Sequence, residues 1–390
     1  MDFIRKFFNN RKKEESFFDY TLLFVVIFLV GFGLIMIYSA SSYEANLDYN
    51  DPAYYMKRQA IAAALGLVAM IFVSFIPTEI FSKFSLAYYI IGATGLFLLL
   101  TPLGVEVNGA TRWLRTGIGF NLQPAEIAKL CMILFLANVI CKMGKSLKSW
   151  KGFGIALLFP VPMCALVYII SNNLSSAIII FAIAYLMIFV ASPDYKKVAL
   201  VTGGGIAVIA IIVLCIYFFV EPTTENFRFA RILAWFHPEA YAQDEGFQTL
   251  QSLYAIGSGG VFGKGLGKSM QKLNYIPEAQ NDMIFSILCE ELGLFGAFCI
   301  MLLFVILIWR CMVIANNAKD LYSALLVVGV MGHFAIQVLL NIAVVTNTIP
   351  NTGISLPFIS YGGSSVLFLM IEVGIVLGVG RGIKLRDGRS

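Results

Sequence analysis

The sequence predicts an all-α, polytopic membrane protein with ten transmembrane helices and a long extracytoplasmic loop between helices 7 and 8. Hydrophobic residues make up 59% of the 390 residues and charged residues only 13%. Soluble proteins carry about twice that charged fraction, roughly 25%. The composition therefore argues against a soluble enzyme and against a disordered chain. The seven cysteines fall in or beside apolar runs without metal-ligand spacing, which argues against a disulfide framework.

Ten apolar runs define the predicted spans. A helix of about 20 residues crosses roughly 30 Å of hydrocarbon while satisfying its own backbone hydrogen bonds. The first run is too long for the apolar region of a signal peptide and is interpreted as a retained anchor. The runs cover residues 20–40, 59–76, 84–102, 126–141, 153–170, 174–192, 199–220, 283–309, 321–346 and 359–380.

The distribution of Lys and Arg predicts that both termini are cytoplasmic. Connections on the side of the N-terminus hold 18 of the 28 basic residues, whereas the four short loops on the other side hold four. Such an excess marks the cytoplasmic side. One transmembrane domain (20–380) is thus predicted between a basic N-terminal segment (1–19), interpreted as an interfacial helix on the inner leaflet, and a cytoplasmic tail (381–390).

The loop at 221–282 is the candidate functional region. Its length and its many aromatic side chains indicate short amphipathic segments along the outer membrane surface. Cations in this loop and after the third span, such as Arg112 and Arg228, suit phosphate or pyrophosphate. A partly desolvated carboxylate at the loop's end, such as Glu278 or Asp282, suits a general base. The alternative is a solvated loop with scattered charges.

Several ionisable residues lie within the predicted spans, where each requires a partner or a cavity. Glu126 and Lys129 lie three residues apart on one helical face, as a structural ion pair or as the lining of a polar groove. Glu290 and Glu291 point about 100° apart and are interpreted mainly as packing or capping groups. Glu372 needs a partner from another helix or from water.

Two glycine-containing segments need interpretation. The run from Gly257 to Ser269 resembles a phosphate-binding P-loop, but Phe262 stands where that motif requires glycine, so the glycines are interpreted as allowing a tight fold. The segment from Pro350 to Ser365 interrupts the helical pattern before the tenth span. It predicts either a broken backbone that lines a cavity or a helix-packing seam on Gly362 and Gly363.

Metal and nucleic-acid chemistry have little support. The chain has only two histidines, which argues against a zinc cluster and against a histidine-based catalytic triad. No certain cofactor is predicted, and a divalent cation held by carboxylates or pyrophosphate is the one metal left open. No basic stripe with interleaved aromatic residues is present, which argues against nucleic-acid binding.

Six motifs are spread along nearly the whole chain. They are Asn108-Gly-Ala-Thr-Arg-Trp113, Gln123-Pro-Ala-Glu-Ile-Ala-Lys-Leu130, Gln251-Ser-Leu-Tyr-Ala-Ile-Gly-Ser-Gly-Gly260, Gly265-Leu-Gly-Lys-Ser-Met-Gln-Lys272, Pro277-Glu-Ala-Gln-Asn-Asp-Met-Ile-Phe285 and Leu356-Pro-Phe-Ile-Ser-Tyr-Gly-Gly-Ser-Ser365. With these motifs the chain resembles the SEDS family (shape, elongation, division and sporulation) of membrane glycosyltransferases, which includes FtsW, RodA and SpoVE. The segment 248–293 is most similar to the FtsW and SpoVE branch.

The resemblance implies an inverting peptidoglycan polymerase in the bacterial cytoplasmic membrane. It would join lipid II units into glycan strands on the outer face, for division or sporulation, with Asp282 as the catalytic base. Implied partners are lipid II, a class B penicillin-binding protein and divisome or sporulation proteins. We expect substrate binding by Arg228, Arg231, Arg112, Lys268, Glu126, Lys129, Glu278 and Ser364.

Three departures from the family pattern limit what can be carried over. Gln280-Asn281 replaces the usual His-Thr before the aspartate, and Asn172-Asn-Leu-Ser-Ser176 replaces Pro-Asp-Leu-Gly-Thr. Ala343, Asn347 and Asn351 replace Gly, Gly and Val, so the shape of the last outer loop stays open. The rival hypotheses are a lipid II flippase that uses buried charges such as Glu372, and a structural division scaffold.

Overall fold

The computed structural model describes residues 17–107, 109–117, 121–192, 194–220, 227–243, 246–273 and 275–383. The predicted interfacial helix of the N-terminal segment and most of the predicted tail lie outside these residues. The regular secondary structure of the described residues is helical apart from one two-stranded hairpin. The prediction of an all-α polytopic membrane protein is therefore confirmed.

The elements follow the predicted order of apolar runs. Two short 3₁₀ helices, Leu98–Leu100 and Gly144–Lys148, extend neighbouring helices. The elements are α1 (Tyr20–Tyr49), α2 (Tyr54–Val73), α3 (Thr78–Lys83), α4 (Ser85–Phe97), β1 (Gly104–Val107), β2 (Ala110–Leu114), α5 (Pro124–Met143), α6 (Trp150–Leu158), α7 (Pro160–Ser171), α8 (Leu174–Ala191), α9 (Tyr195–Phe219), α10 (Phe227–Phe236), α11 (Phe247–Gly259), α12 (Ile284–Asn316), α13 (Leu321–Val345) and α14 (Gly363–Arg381).

Nine helices of the described residues are long and apolar enough to cross a membrane. The third predicted span corresponds to a shorter apolar helix, Ser85–Leu100, so the count of ten stays a prediction. The fifth is divided between α6 and α7 at Pro160, whose ring and missing N–H interrupt a helix. The tenth begins at Gly363 rather than at 359, because Phe358 has a left-handed φ of 64°.

Polar contacts between α1 and α12 mark the two ends of their apolar stretch. At one end Arg310 binds Asp19 (Nη2 to Oδ2, 2.7 Å), and at the other Ser39 donates to Glu291 Oε1 (2.7 Å). Twenty residues of α1 separate these contacts, which is about 30 Å of helix and about the hydrocarbon thickness of a bilayer. Beyond Ser39 lies what we call the loop end, which includes the described residues of the connections 50–53, 101–123 and 220–283.

Glycines bring α14 close to α2. A Cβ at Gly374 would lie 2.6 Å from the Met70 carbonyl oxygen, and one at Gly66 would lie 2.7 Å from the Met370 sulfur. Small residues let helix backbones approach in this way. The packing seam of the last helix is thus built at Gly374. Gly362, one of the two predicted seam residues, has only a serine of its own segment within 4 Å of such a Cβ.

A glycine-rich loop, residues 260–273, is clamped onto α12. The main-chain N–H groups of Lys264 and Gly265 donate to the carbonyls of Glu290 and Glu291 (3.0 and 2.9 Å). Gly293 breaks the helix with a φ of 68°, and a Cβ there would lie 2.3 Å from the Gly263 nitrogen. The glycines therefore permit a tight fold, but the surface they fold against is α12 rather than the membrane or a ligand.

Both carboxylates of this helix are fully buried and ion-paired. Lys264 Nζ lies 2.7 Å from Glu290 Oε1, and Lys272 Nζ lies 2.8 Å from Glu291 Oε1. Ser269 binds Glu290 through its hydroxyl. The structural interpretation of this acidic pair is therefore confirmed.

Replacing Lys272 with Met should lower the free energy of unfolding by about 3–5 kcal/mol, since it leaves the Glu291 charge buried and unpaired. Lys57→Met is the control. Lys57 makes an equally short ion pair with Asp51 (2.8 Å), but that lysine is 62% exposed, and exposed pairs contribute about 0–1 kcal/mol. Denaturant unfolding in detergent measures both; equal losses would contradict the assignment.

Candidate active site

Asp282 lies at the loop end, two residues before α12, and its main-chain carbonyl is held by a side chain of α13. Asn341 Nδ2 of α13 donates to the carbonyl of Asp282 and to that of Ile354 (2.7 Å each). Gly353 has a φ of 66°, and a Cβ there would lie 3.8 Å from Asp282 Oδ2. The carboxylate therefore lies beside backbone that carries no side chain, which leaves space next to it.

The electrostatic surroundings of Asp282 are those of a base that works near neutral pH. The pKa of its carboxyl is raised from 3.8 to about 6, mainly by burial; the charge of Glu278 acts in the same direction, and that of Arg231 lowers this pKa. Main-chain N–H groups of residues 282 and 283 also lower this pKa. A carboxyl group with such a pKa is ionised at neutral pH yet basic enough to accept a proton.

Three arginines form a cluster on one side of Asp282. Burial, then the charges of Arg231 and Arg228, lower the pKa of Arg112, so the three guanidinium groups are close together. Arg112 donates to the carbonyls of Ser171 (3.4 Å) and Asn172 (3.3 Å). Concentrated positive charge of this kind favours a polyanion, and guanidinium groups match phosphate oxygens in geometry.

Two elements hold this arginine cluster, because Arg228 and Arg231 both lie on α10 and Arg112 lies on β2. Arg112 lies on β2, which pairs with β1 and then with Leu122. Arg228 lies on α10, binds Asn172 Oδ1 and stacks over Tyr168 (5.3 Å to the ring centroid). The predicted amphipathic segments of the 221–282 loop are thus present as α10 and α11. Their position on a membrane surface stays a prediction.

The turn before Asp282 is strained at Glu278. Its φ is 49°, a left-handed conformation that disfavours side chains with a Cβ and costs about 1–2 kcal/mol. Asn281 holds the turn by donating to Glu278 Oε2 (2.6 Å) and to its carbonyl (2.9 Å, from the main-chain N–H). The turn thus holds the carboxylate of Glu278 close enough to Asp282 for the two charges to interact.

Glu126 and Lys129 form the predicted ion pair. Their side chains are 7% and 2% exposed, and Nζ lies 2.8 Å from Oε1. The pair lies in the first two turns of α5, and Glu126 Oε2 has no hydrogen-bond partner within the described part of the chain. The geometry is that of a buried pair with one acceptor to spare; its role in substrate binding stays a prediction.

Two further candidates are not placed with the arginine cluster. Lys268 is exposed in a turn of the glycine-rich loop (N–H to Gly265 carbonyl, 3.1 Å), and the neighbouring Ser269 is bound to Glu290, about two helical turns below Asp282. Ser364 is fully buried in the first turn of α14, and its hydroxyl has no partner among the described residues. A role for either in substrate binding stays a prediction.

Sequence reasoning missed residues that position the site. Asn341 was read as part of an apolar run, although an amide there needs partners. Asn347 adopts a φ of 54° and exchanges hydrogen bonds with Trp235 (3.0 and 3.4 Å), which ties the last outer loop to α10. Asparagine tolerates a left-handed backbone. An asparagine at 347, where the family has glycine, is therefore a sequence signal for a left-handed turn at this position. Glu372 does have its expected partner on another helix, His333 (2.8 Å).

Comparison with known proteins agrees with this arrangement. Residues 20–384 match the FtsW/RodA/SpoVE family, described as cell cycle protein. Stage V sporulation protein E of Bacillus subtilis is 38% identical over 93% of this chain and 97% of that protein. The probable peptidoglycan glycosyltransferase FtsW of Trichlorobacter lovleyi is 36% identical over 94% of each.

A solved structure shows the same fold. It is reported under "Structural coordination of polymerization and crosslinking by a peptidoglycan synthase complex" and superposes with a TM-score of 0.76. It covers 95% of this chain and 99% of its own at 24% identity.

Neutralising the neighbours of Asp282 should move its pKa in opposite directions. Glu278→Gln removes a negative charge and should lower it from about 6, whereas Arg231→Gln removes a positive charge and should raise it. Infrared titration of the protonated carboxyl band, with Asp282→Asn as the blank, measures both shifts. Lys319→Gln at the opposite end of the bundle is the control, and shifts of the same sign for the two site variants would refute the assignment.

Proposed function

The chain belongs to the FtsW/RodA/SpoVE family of cell cycle proteins, and from that premise we propose that it is a peptidoglycan glycosyltransferase. It polymerises lipid II, the undecaprenyl-pyrophosphate-linked disaccharide-peptide, into glycan strands. The observation that carries the proposal is Asp282, whose carboxyl has a raised pKa and lies next to a cluster of arginines at the loop end. Relatives that span almost the whole chain bear the matching names.

The reaction needs one base and one displacement. Asp282 accepts the proton of the 4-hydroxyl of the acceptor sugar, and that oxygen attacks C1 of the donor sugar. The bond from C1 to the pyrophosphate oxygen breaks as the new C1–O4 bond forms, and the pyrophosphate leaves with the electron pair. An α-linked donor thus gives a β-1,4 bond by inversion, and no covalent enzyme intermediate is required.

The arginine cluster stabilises the leaving group. Negative charge grows on the pyrophosphate as the bond breaks, and cations held in place before the reaction stabilise that charge without reorganising. Arg228, Arg231 and Arg112 take this role, with Lys268 as a further cation and Glu278 and Ser364 as substrate-binding groups. Glu126 and Lys129 shape the floor of the substrate cavity.

A divalent cation at the pyrophosphate is a separate question. Among the described residues, no group of three or more His, Cys, Asp or Glu side chains is placed to hold a metal ion. A cation would therefore take most of its ligands from the pyrophosphate itself. Polymerisation with and without a chelator decides whether one is needed.

The proposed setting is the bacterial cytoplasmic membrane, with both termini cytoplasmic and the loop end outside. The excess of Lys and Arg in the connections of the opposite end supports this orientation. A class B penicillin-binding protein that crosslinks the strands is the proposed partner, together with division or sporulation proteins. The fold shared with a chain of a peptidoglycan synthase complex supports a partnered enzyme.

A lipid II flippase is the alternative that the buried ionisable groups favour. Glu372 and His333 are each at most 1% exposed and lie midway along α14 and α13, where an intramembrane polar path would run. Glu372 and His333 are partners of each other, as are Glu126 and Lys129. Their burial is therefore explained without a transport function. Glu372→Gln separates the hypotheses, because a flippase would lose lipid flux in vesicles while polymerisation in detergent continued.

Asp282→Asn should reduce polymerisation by about 10²–10⁴-fold, the usual contribution of a general base. Gel analysis of strands made from purified lipid II, with the cognate partner present, measures the loss. Glu239→Gln is the matched control, because it neutralises an exposed acid of the same loop. Normal strand synthesis by Asp282→Asn would place the base elsewhere, and no synthesis by the wild type would support the flippase.

The wild-type rate of polymerisation should fall below a pH of about 6. The base form of Asp282 is lost as pH drops through its pKa, so the rate should decline about tenfold per pH unit in the acid limb. Arg228→Ala should lower the rate by the same factor at every pH, since Arg228 acts on the leaving pyrophosphate and not on the transferred proton. A flat profile from pH 5 to 7 would contradict Asp282 as the base.

A further inference from the structure

Four tyrosines gather at the loop end near Asp282, and none of them belongs to the arginine cluster. Tyr49 stacks on Tyr54 (ring centroids 3.7 Å apart, 7° between planes). Tyr55 packs edge-on against Tyr361 (5.0 Å) and against Tyr54 (5.4 Å). We call these four residues the tyrosine shelf. Tyr49 is 47% exposed and the other three are partly exposed, so the shelf offers ring surface to a ligand.

The shelf is joined directly to the segment that carries Asp282. The main-chain N–H of Tyr361 donates to the carbonyl of Gln280 (2.8 Å), two residues before Asp282. The side-chain amide of Gln280 lies against the carboxyl group of Glu44, which also interacts with Glu278. A ligand on the shelf would therefore lie within one sugar of the base.

One buried polar atom beside the shelf lacks a partner. Gln280 is 2% exposed, and its Oε1 accepts no hydrogen bond from any described residue. An amide oxygen left in this state costs about 1–3 kcal/mol, so it is placed to accept a hydrogen bond from a ligand. Hydroxyl and acetamido N–H groups of an amino sugar are donors of the required kind.

The charge around the shelf selects a neutral sugar over a pyrophosphate. Glu44 interacts there with Asp48 and with Glu278, while Arg58 is engaged with the face of Tyr54 (4.5 Å to the centroid). Carboxylates repel phosphate and accept hydrogen bonds from hydroxyl groups. Flat aromatic surface with acceptor groups at its edge suits the apolar C–H face and polar rim of a pyranose.

We propose that the tyrosine shelf, with Gln280 and Glu44, binds the N-acetylated amino sugar of the acceptor, whereas the arginine cluster binds the donor's pyrophosphate. This assignment rests on the proposed function. It follows from inversion, because the attacking hydroxyl and the leaving pyrophosphate must lie on opposite faces of the donor's C1. Asp282 interacts with Arg231 of the cluster and with Glu278, and Glu278 interacts with Glu44 beside the shelf, so the carboxylate is near both sets of groups.

A single-coupling assay separates the two substrates. The donor is a lipid II whose non-reducing sugar lacks the 4-hydroxyl, so it cannot accept. The acceptor is a lipid II whose C1 is joined to the phosphate through carbon, so it cannot donate. Each coupling event then yields one tetrasaccharide, and KM is measured for one lipid at saturating concentrations of the other.

Tyr55→Leu and Gln280→Ala should each raise the acceptor KM about tenfold and leave the donor KM unchanged, because they remove binding that is equal in ground and transition states. Arg228→Ala should raise the donor KM, leave the acceptor KM unchanged and also lower kcat, because Arg228 stabilises the leaving group as well as binding it. Tyr254→Leu is the matched control, since Tyr254 is an exposed tyrosine of α11 (56%) outside the shelf.

The remaining outcomes overturn one hypothesis or the other. A rise in the donor KM for Tyr55→Leu would assign the shelf to the growing strand, and a fall in kcat alone would make its role structural. Unchanged kinetics in both variants would also refute the proposal, and Gln280→Ala keeps it testable if Tyr55→Leu does not fold. Failure of the wild type to couple the two lipids would instead refute the proposed function.

Discussion

The structure of the loop end depends on neutralising two adjacent carboxylates inside the protein. Glu290 and Glu291 are fully buried and point about 100° apart on α12, so one cation cannot serve both. Lys264 and Lys272 reach them from the two ends of the glycine-rich loop, which must wrap the helix to do so. An unpaired charge there would cost several kcal/mol, so the loop has little freedom to leave.

The attachment of the glycine-rich loop to α12 determines the path of the segment that follows it. The loop lies against α12 at the level of Gly293, where both backbones need glycine to approach. From there residues 275–283 run back along the helix and deliver Asp282 to its N-terminal end, where Asn341 fixes the main chain. A structural ion pair about two turns below the site thus sets the position of the proposed base. Asp282 lies outside the apolar stretch of α1 that runs from Asp19 to Ser39. At this position both polar sugars and lipid headgroups can reach it.

The spans and the charged members of the site could be predicted from the sequence, and the residues that position them could not. Apolar runs report only hydrocarbon contact, so α1 was predicted to end at 40 although the helix continues to Tyr49. Asp282 and Arg112 were found because charge at a membrane boundary is informative alone. Tyr55 and Tyr361 come from opposite ends of the chain and meet only through packing of α14 on α2, a contact that no local pattern contains.

Two opposing effects set the basicity of Asp282. It precedes the N-terminus of α12, and main-chain N–H groups there favour the ionised form. Burial opposes them more strongly, so the pKa still rises to about 6. A fully exposed aspartate would be ionised but weakly basic, and a deeper one would stay protonated at neutral pH. The boundary position, near the opposite charges of Arg231 and Glu278, is a compromise that keeps the carboxylate ionised and still able to accept a proton.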